Sequence, residues 1–163
     1  YLIFGITNSF AESKVVYIDM NKILNDSKVG AFVENELTKQ HEAKLENFKT
    51  IEEKMKKEEI DLISKRNVLA RDEFDKKVKL LNEEAQKYQD ERRLWFDEVT
   101  KKRNIARAEV LKTLDPILTE YFEQNQITLM LYKRNIAIGI SELDITDKII
   151  DELDKKLPSI KLN

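Results

Sequence analysis

His41 is the only histidine among 163 residues, and cysteine is absent. The side chains that most often activate nucleophiles or bind soft metals are therefore almost missing. His41 has Glu42 and Glu46 close by in sequence, but one imidazole without a second ligand or a nucleophile builds no acid–base pair and no metal centre. Its place in a helical repeat makes it a packed or half-exposed seam residue. Neither a Gly-rich phosphate loop nor an HExxH motif occurs, and three glycines leave little room for one. Carboxylates are plentiful, but their spacing suits i,i+4 pairing with Lys and Arg on exposed helix faces. The reading predicts no catalytic residue, no metal site, no cofactor and no enzyme. The lack of cysteine also removes disulfides and fits an oxidising compartment.

The remaining chemistry is adhesion. Residues 54–79 carry nine basic and six acidic groups, whereas residues 31–53 carry three basic and six acidic ones. Lys54, Lys56, Lys57, Lys65, Arg66 and Arg71 thus form a mildly basic region, suited to weak contact with acidic lipid headgroups or anionic stretches of polypeptide. Phe48, Met55, Ile60, Ile63, Leu69 and Phe74 lie in or beside the same region, with Leu62 and Val68 among them. They are too many for one thin helix pair to bury, and an apolar surface with interspersed charge marks a site for binding other chains. The net charge of −2 gives the whole chain no strong pull toward nucleic acid.

These groups must be positioned by helices. Between Gly30 and Pro116 run 85 residues without glycine or proline, 40 of them charged. Leu37, Lys44 and Ile51 recur by sevens, as do His41, Phe48, Met55 and Leu62. In the second half Phe74, Leu81, Tyr88 and Trp95 repeat by seven, with Val78, Ala85, Arg92 and Val99 between them, which makes an imperfect heptad seam. Leu111, Leu114 and Leu118 follow after a shift of phase. The seam loses register near Ile63, so the span 31–115 is expected to fold as an antiparallel hairpin with its tip near 67–72. Asp72 is expected to cap the second helix.

Flanking elements read differently. Residues 1–11 end in small residues at Ser9 and Ala11 after an apolar run, which predicts the remnant of a signal peptide and export. Lys14–Asp19 reads as a strand, and Asn21–Val29 as a short helix closed by Gly30. Beyond Pro116 the helix is expected to stop near Asn125. Ile127–Tyr132 and Ile136–Ile140 then read as two strands joined through Lys133–Asn135. A last amphipathic helix, capped by Asp144, carries Ile145, Ile149, Ile150 and Leu153 and ends before Pro158. The predicted fold is mainly α with a small β body: residues 14–30 and 116–163 make a three-stranded sheet whose apolar strands demand cover on both faces. Self-association would supply it, through Val16, Ile18, Leu129, Leu131, Ile136 and Ile138.

Three stretches carry a likeness: Val15–Gly30 (VVYIDMNKILNDSKVG), Arg66–Leu69 followed by Phe74, and Leu143–Thr146 with Leu157–Ser159. In order and spacing the chain resembles the Skp family, also called OmpH, periplasmic chaperones of outer-membrane proteins. The resemblance spans residues 14–162. It implies a homotrimer whose helical hairpins hold unfolded outer-membrane β-barrel chains without ATP. Members of that family are markedly basic and this chain is not, so no lipopolysaccharide site is carried over. The expected function is a holdase acting through many weak contacts. The alternative is a coiled-coil tether or scaffold with one fixed partner.

Overall fold

The computed structural model describes residues 13–162, so the predicted signal-peptide remnant at 1–11 lies outside the described residues. The chain is mainly helical. Strand β1 (Val15–Ile18) leads into helix α1 (Met20–Asp26), and two long helices follow, α2 (Lys28–Ser64) and α3 (Arg71–Gln124). Strand β2 (Leu129–Tyr132), short 3-10 turns at Lys133–Asn135 and Ser141–Leu143, and helix α4 (Thr146–Lys156) complete it. Two compact units result, one of residues 13–31 and 108–160, the other centred on residues 32–107.

In the first unit β1 and β2 pair in parallel, Val15 opposite Leu129 and Ile18 opposite Tyr132. A parallel pair needs a long crossover, and the whole of α1 to α3 provides it. The predicted third strand at 136–140 does not form within this chain. The turn at Lys133–Asn135 leads out of β2 without reversing it, and the free edge of β1 is taken by Asp144, bridged to Tyr17, with the Ile145 N–H donating to the Tyr17 carbonyl at 3.0 Å. The 136–140 segment is pinned across the Tyr17 side chain instead. The Tyr17 hydroxyl donates to the Ile140 carbonyl at 3.2 Å, and Gly139 lies so close to the ring that a Cβ would stand 3.0 Å from it.

Burial of β1 also differs from expectation. Val16, Tyr17 and Ile18 are all buried inside the unit, with Ile23, Val29, Leu114, Ile149 and Leu153. Each such apolar side chain contributes about 1.5–3 kcal/mol. The single chain therefore buries side chains from both faces of β1, and α1 packs against α4 in the same unit. β2 is the strand left partly open, with Leu129 and Tyr132 exposed.

The predicted helix Asn21–Val29 is two helices. Its break falls at Ser27, in extended conformation, and Gly30 lies inside α2 rather than ending α1. Ser27 is fully buried, and its hydroxyl accepts the Gly30 N–H at 3.2 Å as an N-cap. The Lys28 N–H, another orphan of the first turn, donates to the Asp154 carboxylate at 2.7 Å. Gly30 is required by close approach: a Cβ would stand 2.1 Å from the Leu24 carbonyl oxygen. The end signal at Asn125 holds: α3 stops at Gln124, with Gln126 at φ 52° and N–H bonds from Ile127 to Phe122 and from Gln126 to Glu123 forming a Schellman closure. The expected cap of α4 is displaced by one residue: Ile145 takes the cap position, its carbonyl accepting the Ile149 N–H at 3.1 Å, and the Asp144 carboxylate just before it accepts the Thr146 N–H at 3.0 Å.

In the second unit α2 and α3 run antiparallel. The turn between them is tight, with Lys65, Arg66, Val68 and Leu69 donating to carbonyls three or four residues back. Ala70, not Asp72, takes the cap position, accepting from Glu73 and Phe74, so Asp72 sits in the first turn of α3.

Candidate binding surface

The seam of the helix pair is built from the heptad residues. Leu37, Phe48, Leu62 and Tyr88 are buried, and Lys44, Ile51, Met55, Phe74, Val78, Leu81, Ala85, Trp95 and Val99 are half-buried. Phe48 meets the Tyr88 ring edge-on at 5.7 Å, and the Lys44 ammonium stands 5.0 Å above the Phe48 ring. The Tyr88 hydroxyl donates to the Glu52 carboxylate, which Arg92 also approaches at 3.5 Å. Burial, and then that carboxylate, push the Tyr88 phenol above its usual range and keep it a donor. Further along, the Trp95 indole N–H donates to His41 Nδ1 at 3.1 Å, Lys102 donates to Gln40 at 3.0 Å, and Arg103 pairs with Glu34 at 3.1 Å. His41 is thus a packed seam residue.

This packing sorts the predicted adhesive residues. Phe48 is locked in the seam and presents no free surface. Phe74 is half-buried there, and Met55 is half-buried beside Ile51 and Tyr88. Ile60 and Ile63 stand 59% and 63% exposed. Leu69 is half-buried and lines a cleft of about 610 Å³ beside the turn between α2 and α3. The apolar lining of that cleft is Leu62, Val68, Leu69, Leu80 and Leu81.

Leu80, Leu94 and Ile105 are exposed and lay outside the sequence-based selection. Their spacings of 14 and 11 residues bring them to within about 40° of one another at 100° per residue, a second stripe on the flank of α3. That stripe was available in the sequence, but its residues fall between the more regular sevens of the seam.

The basic residues divide too. Lys65 is tied to Asp61 at 2.7 Å, and Lys54 lies 3.4 Å from Glu58 and 4.0 Å from Glu84. Lys56, Lys57, Arg66 and Arg71 are exposed and make no ion pair among the described residues. Of the six, only Lys65 lines the cleft. On the other unit Val16 and Ile18 are enclosed in the core, whereas Leu129 is 47% and Ile138 94% exposed, with Leu131 and Ile136 half-buried.

Among the described residues no cluster of His, Asp and Glu is placed to hold a metal ion, and no helix is long and apolar enough to cross a membrane.

The profile of the outer membrane protein (OmpH-like) family matches residues 14–153. The chain belongs to the OmpH-like family. Its fold is similar to the crystal structure of an OmpH-like protein of Caulobacter crescentus CB15 described as an outer membrane chaperone, with a TM-score of 0.87 at 19% identity, covering 99% of this chain and 96% of that one. At that identity the likeness is one of fold. A search of curated protein sequences finds no match. The span matched to the OmpH-like family takes in β1, both long helices, β2 and the cleft.

Proposed function

We propose that the chain is an ATP-independent holdase of the periplasm that keeps unfolded outer-membrane β-barrel proteins from aggregating. Family membership supports the chaperone role, and the related Caulobacter protein is described as an outer membrane chaperone. The observation that carries the reading is the surface of the helix pair: large apolar side chains, Ile60, Ile63, Val68, Leu80 and Leu94, stand exposed among charges rather than in one deep pocket. Such a surface makes many weak contacts, which gain through effective concentration and still let a client leave. The working form is a homotrimer joined through the exposed residues of β2 and the 136–140 segment, with clients held between the hairpins. The basic groups Lys56, Lys57, Arg66 and Arg71 add weak attraction for acidic chains or lipid headgroups.

A scaffold with one fixed partner would use the same helix pair differently. The seam here is interrupted by His41, Lys44, Glu52 and Arg92, which suits a pair that flexes. The discriminating experiment mixes the chain with several unrelated barrel proteins diluted from urea and measures light scattering and co-sedimentation. A holdase suppresses scattering for all of them and releases each on folding into detergent micelles. Binding to a single partner, or equal binding to folded barrels, would establish the scaffold instead.

A further inference from the structure

The cleft beside the turn between α2 and α3 has a rim whose charge is opposite to that of the sequence around it. Glu58 and Asp61 from α2, and Glu73 and Glu84 from α3, stand against Lys65 and Lys77, and with Lys54, which lies outside the lining but within 4.0 Å of Glu58 and Glu84, the excess is one negative charge. The exposed basic groups Lys56, Lys57, Arg66 and Arg71 do not line it. Among these charges the lining is apolar, formed by Leu62, Val68, Leu69, Leu80 and Leu81.

The ion pairs already on the rim are open to solvent. Lys54 reaches Glu58 and Glu84 at 3.4 and 4.0 Å with its side chain 63% exposed, and Asp61 and Lys65 are 60% and 53% exposed. Exposed pairs of this kind contribute little to stability, so an incoming cation can replace Lys54 or Lys65 at small cost. Glu73 has no ion-pair partner among the described residues. An incoming carboxylate would instead add to an existing negative surplus beside an apolar lining.

We infer that this cleft binds short apolar segments of an unfolded polypeptide that are flanked by Lys or Arg. The apolar side chains enter over Leu80 and Val68, and the flanking cations settle on Glu58, Glu73 and Glu84. The inference rests on the holdase reading and names the class of client segment that this part of the surface selects. A volume of about 610 Å³ lies within the range of sites that enclose a few side chains.

The test uses two labelled peptides with the same Leu-Phe-Leu centre, one flanked by lysines and one by glutamates, titrated with the full chain by fluorescence anisotropy. The lysine-flanked peptide binds at least about fivefold tighter at low salt, and the difference shrinks in 0.5 M salt. In the combined variant Glu58→Gln, Glu73→Gln, Glu84→Gln the two peptides bind alike. In Leu80→Ser both bind more weakly, with helix content by circular dichroism unchanged because Leu80 is exposed. Equal or tighter binding of the glutamate-flanked peptide by the wild-type chain overturns the inference. So does a sedimentation mass that falls in Leu80→Ser while neither peptide binds, which would place a second copy in the cleft. Suppression of barrel-protein aggregation without peptide discrimination removes this inference and leaves the holdase standing. Discrimination without suppression supports the cleft and removes the holdase.

Discussion

Trp95 donates its indole N–H to His41 Nδ1 at 3.1 Å, joining the chain's single tryptophan to its single histidine across the α2–α3 seam. Phe96 lies against the same imidazole, 5.9 Å between ring centres. The imidazole serves here as the acceptor, so the bond is lost with the side chain. The ion pairs on either side, Glu34 with Arg103 and Glu98 with Lys102 in one direction and Glu52 with Arg92 in the other, are already matched.

Removing the acceptor should weaken this layer of the seam. His41→Ala should cost about 1 kcal/mol in urea unfolding and shift the Trp95 emission, while His41→Gln, which offers another acceptor, should restore part of the loss. A urea midpoint for His41→Ala equal to that of the wild-type chain would show that the bond contributes nothing.

Gly30→Ala sets two effects against each other. Alanine favours a helix over glycine by about 1 kcal/mol. Its Cβ, however, would lie 2.1 Å from the Leu24 carbonyl oxygen and 3.0 Å from that of Asn25. Backbone cannot swing aside as a side chain does, so the clash should win, with a net loss of about 1–3 kcal/mol. A urea midpoint equal to or above that of the wild-type chain would refute the close approach of α1 and α2.

Gln126→Gly should act in the opposite direction. Gln126 holds φ 52° at the Schellman closure of α3, a left-handed conformation that costs an L side chain about 1–2 kcal/mol. Glycine takes it freely but loses more chain entropy on folding, which leaves a gain of about 0.5–1 kcal/mol. A lowered thermal midpoint would contradict the assignment of Gln126 as the left-handed residue.

Asp144 makes part of the stability acid-sensitive. Burial pushes its carboxyl up, but bonds from the Thr146 hydroxyl and N–H, together with the Lys133 ammonium at 3.6 Å, outweigh this and hold it below the usual aspartate range. The unfolded chain thus takes up the proton at higher pH than the folded one. The contribution is complete above the ordinary aspartate value of about 3.9 and is lost as pH falls below it through the folded value. Glu120, lowered by its bond to Lys156, acts in the same sense. Urea midpoints followed from pH 6 to pH 2 should fall less steeply in Asp144→Asn below pH 4; an unchanged slope would exclude the role.

Much of this was legible in the sequence because helical period survives any context. Every position named in the sevenfold repeats from Leu37 to Val99 is buried or half-buried, whereas Leu111, beyond the shift of phase, is exposed. The meeting of β1 with β2, though not its parallel sense, follows from strands at the two ends of a returning hairpin. The third strand was misread because Ile136–Ile140 is apolar enough for a ladder, whereas Gly139 and the Tyr17 ring give it another partner. Phe48 was misassigned for a related reason: the heptad that placed it in the seam and the apolar cluster that placed it on the surface were both true of the sequence, and packing against Tyr88 decided between them. The acidic cleft was hidden because a window of residues averages all faces of a helix. Residues 54–79 are basic in sum, yet of the charged side chains that line the cleft four are carboxylates, one of them Glu84 from beyond that window, and two are lysines.

The central claim is that exposed apolar side chains on the helix pair hold unfolded barrel proteins apart. Its most direct test is light scattering of an unfolded β-barrel protein diluted from urea in the presence of the combined variant Ile60→Ser, Ile63→Ser, Val68→Ser, Leu80→Ser, Leu94→Ser. All five positions are well exposed, so helix content and sedimentation mass should match the wild-type chain, while suppression of scattering should be lost. A variant that stays folded and suppresses aggregation as well as the wild-type chain would contradict the account.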